Sequence, residues 1–330
     1  MKLLLTPLQY IKKYKQQKGD QTKMIFPNLE AIEKLSIDEK IAQFGNKRKA
    51  SYSRGQYRSN MMLNPLRLKH LNRLDRLEAD MITLNLEDAI APSRKREALV
   101  NIAFFLSHME ASNSFLVVRT NPLDEGGREE IAFLNDFAFD AIRVSKIKTQ
   151  KEVQEALGLL AKDKELHISM ETKEAFNNLQ SLRIDERLTT ANIGILDLLN
   201  SLGLPQSLVQ MGNPTIDYIL SKFLIDCHSV GLRGTSFMFQ EYQNTQLFEA
   251  WCKREKMMGY QSKACMGPLQ VEIANRIFGV DEEQIARAKD IKEAFEANSE
   301  QGEHGFMDER YGFIDEPIYK DALLILKGLE

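Results

Sequence analysis

Two carboxylates, Glu171 and Asp197, each stand beside the end of a short run rich in apolar residues, His167–Met170 and Ile193–Leu196. If these runs are consecutive parallel strands, both carboxylates face one pocket and can share a hard cation. Mg²⁺ takes one or two carboxylates and leaves its other positions to water and substrate oxygens. Further charged residues hold comparable places. Glu87 and Asp88 follow the run Met81–Leu86, Arg119 closes Phe115–Arg119, and Lys146 follows Ala141–Ser145. Arg58 stands just before the first run, Asn60–Leu63, rather than after it. Two guanidinium groups in one pocket can clamp a carboxylate bidentately. Metal plus arginine is the combination that binds a 2-oxo acid and stabilises its enolate. Each residue alone also has a plainer reading. A carboxylate past a strand is a common helix N-cap, and Asp197 before Leu198 fits that role.

The elements that must position these groups follow a repeating plan. Eight short apolar runs occur, the last two being Leu232–Phe239 and Ser262–Met266. Helical patterns come between and after them: Leu66–Leu77, Ser93–Leu106 with Ser93 as cap, a helix that Thr149 caps, one from Lys173, Leu198–Leu202, Pro214–Val230, Gln246–Met257 and Pro268–Phe278. Short buried strands alternating with crossover helices predict a parallel sheet, and eight units predict a closed (β/α)₈ TIM barrel. An open doubly wound sheet would have five or six strands and usually a glycine-rich first turn. The turn Asn64-Pro65-Leu66-Arg67 has no glycine, and neither a GxGxxG nor a Walker motif occurs. The expected division is a basic N-terminal extension over residues 1–57, the barrel over 58–280, and a C-terminal helical or lid segment over 281–330. In the last segment Asp281–Glu296 and Pro317–Leu329 read as helices and Gly302–Asp315 as a loop.

At 330 residues, 43% of them hydrophobic, the chain is long enough for a barrel of about 250 residues with additions. No run of about 18 apolar residues predicts a membrane span. The run Leu3–Leu5 is too short for a secretory signal. Three cysteines, Cys227, Cys252 and Cys265, form no CxxC pair, which suits a reducing, cytoplasmic compartment. Residues 1–58 carry 13 Lys/Arg against 5 Asp/Glu, whereas the rest carries 31 against 42. A basic arm on an acidic body is expected to dock on its own barrel or on a neighbouring subunit. With few interleaved aromatics and no recognition motif, nucleic acid is not the expected partner.

Read together, the motifs resemble the citrate lyase β-subunit family and the wider HpcH-HpaI group of Mg²⁺-dependent acyl-CoA lyases and aldolases. The resemblance rests on Arg58-Ser59 opening a strand that ends at Asn64-Pro65, Asn85-Leu86-Glu87-Asp88-Ala89, and Val118-Arg119-Thr120-Asn121. It continues through Ser145-Lys146, Met170-Glu171-Thr172, Gly194-Ile195-Leu196-Asp197, Gly259 to Lys263, and Phe313-Ile314-Asp315-Glu316-Pro317. It covers about residues 55–330, and the order and spacing of its motifs are specific. It implies that Glu171 and Asp197 bind Mg²⁺. Arg58 and Arg119 would hold a substrate carboxylate or, with Lys146, a cofactor's phosphates. Glu87 and Asp88 would orient water and the arginines. Asp315 would be an acid/base that reaches a site, often in a neighbouring subunit of a homotrimer or homohexamer. The implied reaction is cleavage or formation of a 3-hydroxy acid, or its CoA thioester, through the enolate of a 2-oxo acid.

The sequence departs from the family pattern at Asn85, Ser145, Thr235-Ser236, Asn244 and Met266-Gly267. These changes leave open a related aldolase or thioester hydrolase on a non-CoA substrate. A non-catalytic assembly paralogue is a third reading, disfavoured by the presence of Glu171, Asp197, Arg58 and Arg119. His70 is expected at the surface or an interface, Cys227, His228 and Met257-Met258 in packing, Cys265 in the barrel wall or mouth rather than as a nucleophile, and Trp251 between helix and barrel.

Overall fold

The computed structural model describes residues 24–46, 56–279 and 281–327. Much of the basic extension, residues 1–23 and 47–55, lies outside them. Eight parallel strands are β1 (Ser59–Leu63), β2 (Met81–Asn85), β3 (Phe115–Thr120), β4 (Ala141–Val144), β5 (Glu165–Met170), β6 (Leu188–Ile193), β7 (Arg233–Thr235) and β8 (Lys263–Cys265). They run in the order β7-β6-β5-β4-β3-β2-β1-β8. A single parallel bridge, Ser236 to Lys263, joins the two ends. The fold is the expected (β/α)₈ barrel with C-terminal helices added. Most strands are buried along their whole length, which explains why they read as continuous rather than alternating apolar runs.

Boundaries differ from the sequence reading where apolar residues serve helix packing. Only residues 233–235 of the run Leu232–Phe239 pair as a strand. Phe237 packs edge-on against Trp251 at 5.1 Å, and Phe239 against Phe248 at 6.0 Å. The expected helix Leu66–Leu77 is only one short turn and a 3₁₀ turn, Leu68–Leu71 and Leu74–Arg76. Ser93 caps nothing. It lies inside a 3₁₀ turn that feeds the helix Lys95–His108. Thr149, as expected, caps its helix, in a reciprocal box with Glu152.

The helix Lys95–His108 is buried on nearly all sides because residues 24–46 lie over it. Phe26 stacks on Phe104 with centroids 5.0 Å apart, and the buried Lys40 ammonium donates to Asn101 Oδ1 at 2.8 Å. This described part of the extension therefore packs on its own barrel. At the other terminus, Gly302–Asp315 is not a loop throughout. It holds an antiparallel hairpin, β9 (Gly305–Asp308) and β10 (Gly312–Asp315), between the helices Glu282–Ser299 and Glu316–Lys327. Ala288, Ile291, Phe295, Ile314 and Ala322 form its own small core. Gln284 and Leu324 of this unit border a cavity whose other walls include Arg58, Met81 and Arg233. The unit thus faces the end of the barrel where strands begin, opposite the mouth where they finish.

Inside the barrel, Tyr57, Met81, Phe115, Val117 and Ala141 fill the lower lumen. Higher up the lumen is polar. Asn60 Nδ2 donates to Asn192 Oδ1 at 3.2 Å, Thr83 Oγ1 donates to Asn60 Oδ1 at 2.7 Å, and Arg143 Nη1 donates to Asn192 Oδ1 at 3.1 Å.

Candidate active site at the barrel mouth

Arg119 is the centre of the mouth. It sits one residue before the end of β3, is buried, and lies level with Asn85 on β2 and Arg143 on β4. Its Nη2 is 2.8 Å from Glu171 Oε1 and 2.8 Å from Glu87 Oε2, while its Nε donates to Ser145 Oγ at 2.9 Å. Burial works against the Arg119 charge, but Glu171, Glu87, Asp88 and Asp197 outweigh it and raise the guanidinium pKa. The Lys146 ammonium stands 2.9 Å from Glu87 Oε1 and 3.6 Å from Asp88 Oδ1. Lys146 adopts φ +54°, the sole non-glycine among the described residues with positive φ. Such a conformation costs on the order of 1 kcal/mol and is held only where surrounding contacts fix it.

Glu171 follows β5 immediately and is buried. Arg119 holds its Oε1, whereas Oε2 is buried with no hydrogen-bond partner. Burial pushes this carboxyl up, with Arg119 opposing and Glu87 and Asp197 adding repulsion. The next strand end makes room for it. A Cβ on Gly194 would lie 2.4 Å from Glu171 Cγ, so only glycine fits without displacing the carboxylate. Gly194 is also the N-cap of the helix Ile195–Ser201, which puts Asp197 in its first turn, half-buried. The plain N-cap reading of Asp197 is therefore corrected: the cap is Gly194, which has no side chain to offer.

A buried carboxylate oxygen lacking a donor, beside a second carboxylate, fits a hard divalent cation. Among the described residues no group of three or more His, Cys, Asp or Glu gathers into a full cage. Mg²⁺ does not need one, because waters and substrate oxygens complete its shell.

Glu87 and Asp88 behave as a pair. Burial alone would raise Glu87, but bonds from Asp88, including its backbone N–H at 2.7 Å, and the charge of Arg119 outweigh it, with Lys146 adding to them, and hold it near about 2. Asp88, more exposed, is pushed up to about 7 by desolvation and by the adjoining Glu87 charge. Asn85, where the resemblance has an acid, accepts the Glu87 N–H at 3.4 Å. Asn244 and Gly267, two other departures, begin helices, Asn244 by accepting the Leu247 N–H at 3.2 Å.

The structure therefore brings together Glu87, Asp88, Arg119, Lys146, Glu171 and Asp197. It does not bring Arg58 to them. Arg58 precedes β1 at the opposite end, where Nε and Nη2 bond the buried Asp80 carboxylate at 2.8 and 3.0 Å. Its expected place in the mouth is corrected on that ground: strands that end at the mouth begin at the far side. Asp315 is also elsewhere within one chain. Its Oδ1 accepts the Ile318 N–H at 3.2 Å, capping the last helix. Sequence reasoning missed Arg143 and the contact of Ser145 with Arg119. Arg143 is buried in the lumen with Nε unpaired, and burial, with repulsion from Arg119, lowers its pKa to about 9, so it stays a cation at neutral pH. The reactive-thiol question closes as expected: Cys265 is buried and its thiol is pushed well up by desolvation.

A parallel eight-stranded barrel with an acidic, arginine-centred mouth defines a class of enzymes that work at strand ends. Residues 58–268 match the HpcH/HpaI aldolase/citrate lyase family, and the chain belongs to it. It is an enzyme of that lyase family. It is 27% identical over 248 residues to a (3S)-malyl-CoA thioesterase of Cereibacter sphaeroides, covering 75% of this chain and 86% of that protein. It is 23% identical over 282 residues to an L-malyl-CoA/beta-methylmalyl-CoA lyase of the same species, covering 76% and 88%. The fold is shared with CitE of Mycobacterium tuberculosis, solved in complex with magnesium, acetoacetate and coenzyme A. The TM-score is 0.66 at 16% identity, over 82% of this chain and 97% of that one.

Proposed function

We propose that this chain is a Mg²⁺-dependent carbon–carbon lyase that cleaves or forms a 3-hydroxy acid, carried as its CoA thioester: the 3-hydroxyl oxygen becomes the carbonyl of a 2-oxo acid, and the electron pair of the broken bond passes to the enolate of the acyl thioester. The observation that carries the proposal is the Glu171 carboxylate, anchored through Oε1 by Arg119 and left without a donor at Oε2. Glu171 and Asp197 are the residues to hold the ion. When bound, Mg²⁺ supplies Lewis-acid stabilisation of the charge that develops on the 2-oxo oxygen. Arg119, locked by Ser145 and Glu87, orients Glu171 and adds positive charge at the mouth. Lys146, fixed at the rim by Glu87, is placed to meet an anionic group at the pocket entrance. Asp88, with a carboxyl near about 7 and an exposed position, is suited to hold and return a proton. An acid/base role for Asp315 would need a second copy of the chain.

The Cereibacter sphaeroides thioesterase supports a second reading, in which the same mouth hydrolyses the thioester of a 3-hydroxy acid instead. One screen separates the two. Malyl-CoA and the free acid are offered with Mg²⁺. Glyoxylate with acetyl-CoA marks the lyase, whereas free CoA with malate marks the hydrolase. Turnover of free acids alone discards the thioester in both. The metal itself is tested by thermal shift: Mg²⁺ is expected to stabilise the wild type and not Glu171→Gln, and equal shifts would sink the metal site.

A further inference from the structure

Resting on that reading, we propose that Arg143 anchors the substrate: its guanidinium, on the floor of the mouth beside Arg119, binds the carboxylate of the 2-oxo acid. One guanidinium can hold such a carboxylate bidentately, but Arg119 is already engaged by Glu171, Glu87 and Ser145, so another is needed for the substrate. Arg58 is at the other end of the barrel, bound to Asp80. Arg143 is the register partner of Arg119 on the adjoining strand. Arg119 and Arg143 are the two buried arginines among the described residues.

Three observations point to an anion there. Arg143 Nη1 is used by Asn192, but Arg143 Nε is buried with no acceptor. Asn192, in the same network, likewise has a buried Nδ2 without an acceptor. Two unsatisfied donors in one polar cluster are costly, on the order of 1–3 kcal/mol each, unless a ligand completes them. Charge gives the third. With all four carboxylates ionised, Glu87, Asp88, Glu171 and Asp197 face two cations, Arg119 and Lys146, and a divalent ion brings that group to neutrality, or to a net positive charge when Asp88 holds its proton. A carboxylate entering the neutral group then needs one more positive charge at the same level, and Arg143 supplies it. Arg143 stands level with Arg119, which contacts both Glu171 and Glu87, and those two carboxylates favour the Arg143 charge against the burial that opposes it.

The test uses oxalate, a planar mimic of a 2-oxo acid such as glyoxylate, titrated calorimetrically onto the full chain with Mg²⁺. Arg143→Met, which keeps most of the volume, is expected to weaken oxalate at least tenfold while Mg²⁺ alone binds as tightly as before or tighter. Arg143→Lys is expected to recover part of the loss. Unchanged oxalate affinity in Arg143→Met would overturn the proposal. So would an equal loss of Mg²⁺ and oxalate affinity, since that marks a residue that only supports the fold of the site. Wild type that binds Mg²⁺ but not oxalate would instead remove the 2-oxo acid reading, and the anchoring role with it. If Arg143→Met does not fold, the wild type labelled with ¹⁵N-arginine decides. Oxalate is expected to move the two slowly exchanging Nε–H signals of the buried arginines, and movement of one alone overturns the proposal.

Discussion

Arg119 at the mouth and Arg58 at the opposite end both face carboxylates, yet their surroundings differ in one respect. At the strand starts the main charges are paired, although His167 Nδ1 and Arg187 Nη1 are buried without partners. Arg58 meets both oxygens of Asp80, and Arg233 Nη2 reaches Glu165 Oε2 at 2.7 Å while its guanidinium covers the Tyr57 ring at 4.2 Å. His167 stacks on Phe115 with centroids 5.7 Å apart. At the mouth, groups are held but left incomplete: Glu171 Oε2 and Arg143 Nε are orphaned, and Lys146 keeps a left-handed backbone. Paired charges lock the strand starts together, whereas the mouth leaves charged side chains, a carboxylate oxygen and a guanidinium N–H, without partners, which fits the end where the proposed ligands would bind.

The contrast breaks most sharply at Glu171. Glu171→Gln is expected to lower turnover by at least roughly 10²–10³-fold, as loss of a group that organises charge stabilisation does. In the absence of metal the same variant should melt no lower than wild type, because a neutral amide relieves a carboxylate whose burial opposes its charge. A large fall in melting temperature would mean that Glu171 is structural, like Asp80.

How far the sequence reveals this arrangement depends on what each residue answers to. The eight strand–helix units were legible because buried parallel strands and amphipathic helices leave different apolar periods. Glu171, Asp197, Glu87 and Lys146 were legible because residues just past a strand must lie at one end. The same logic placed against Arg58 reads the other way: it precedes its strand, and the Arg-Ser motif carried it to the mouth by likeness alone. Arg143 was hidden because a charged residue inside a four-residue strand reveals its direction only once the lumen closes. The β9–β10 hairpin was missed because its turn, Glu309-Arg310-Tyr311, lacks the Asn-Gly or Asp-Gly signal.

At the strand starts the expected effects fall on stability. Arg58→Met leaves the buried Asp80 carboxylate without its guanidinium and should cost about 3 kcal/mol in denaturant unfolding. Turnover per folded molecule should stay within a few-fold of wild type. A selective loss of kcat would return Arg58 to the mouth's chemistry. Acid should act at the same end. Burial holds the His167 imidazole down to about 4 against an ordinary 6.5, with Glu165 opposing and Arg233 reinforcing. Between those values the unfolded chain takes up a proton that the folded chain refuses. Stability therefore falls as pH drops from 6.5 towards 4, by up to about 3 kcal/mol. Glu165, held near about 2 by His167, Thr189 and Arg233 despite burial, loses its contribution only below 4.5. Urea midpoints at pH 7 and 4.5 check this, and His167→Leu should flatten the difference. A slope unchanged in the variant would assign the acid loss to other groups.

The smallest effect sharpens the comparison most finely, because it removes a single bond from the held side of the mouth. Ser145 Oγ accepts from Arg119 Nε at 2.9 Å and donates to the Thr120 carbonyl at 2.8 Å. Ser145→Ala deletes both and leaves a guanidinium N–H buried without a partner, a cost of about 1 kcal/mol. If the bond only steadies the fold, that cost appears in unfolding and kcat/KM stays level. If it holds Arg119 in the pose that presents Glu171, kcat/KM should fall by roughly five- to tenfold, the kinetic equivalent of the same energy. Mg²⁺ affinity should then weaken in parallel, since the carboxylate that Arg119 orients is the one expected to bind it. We expect the second pattern, because Arg119 links Ser145 directly to the Glu171 carboxylate.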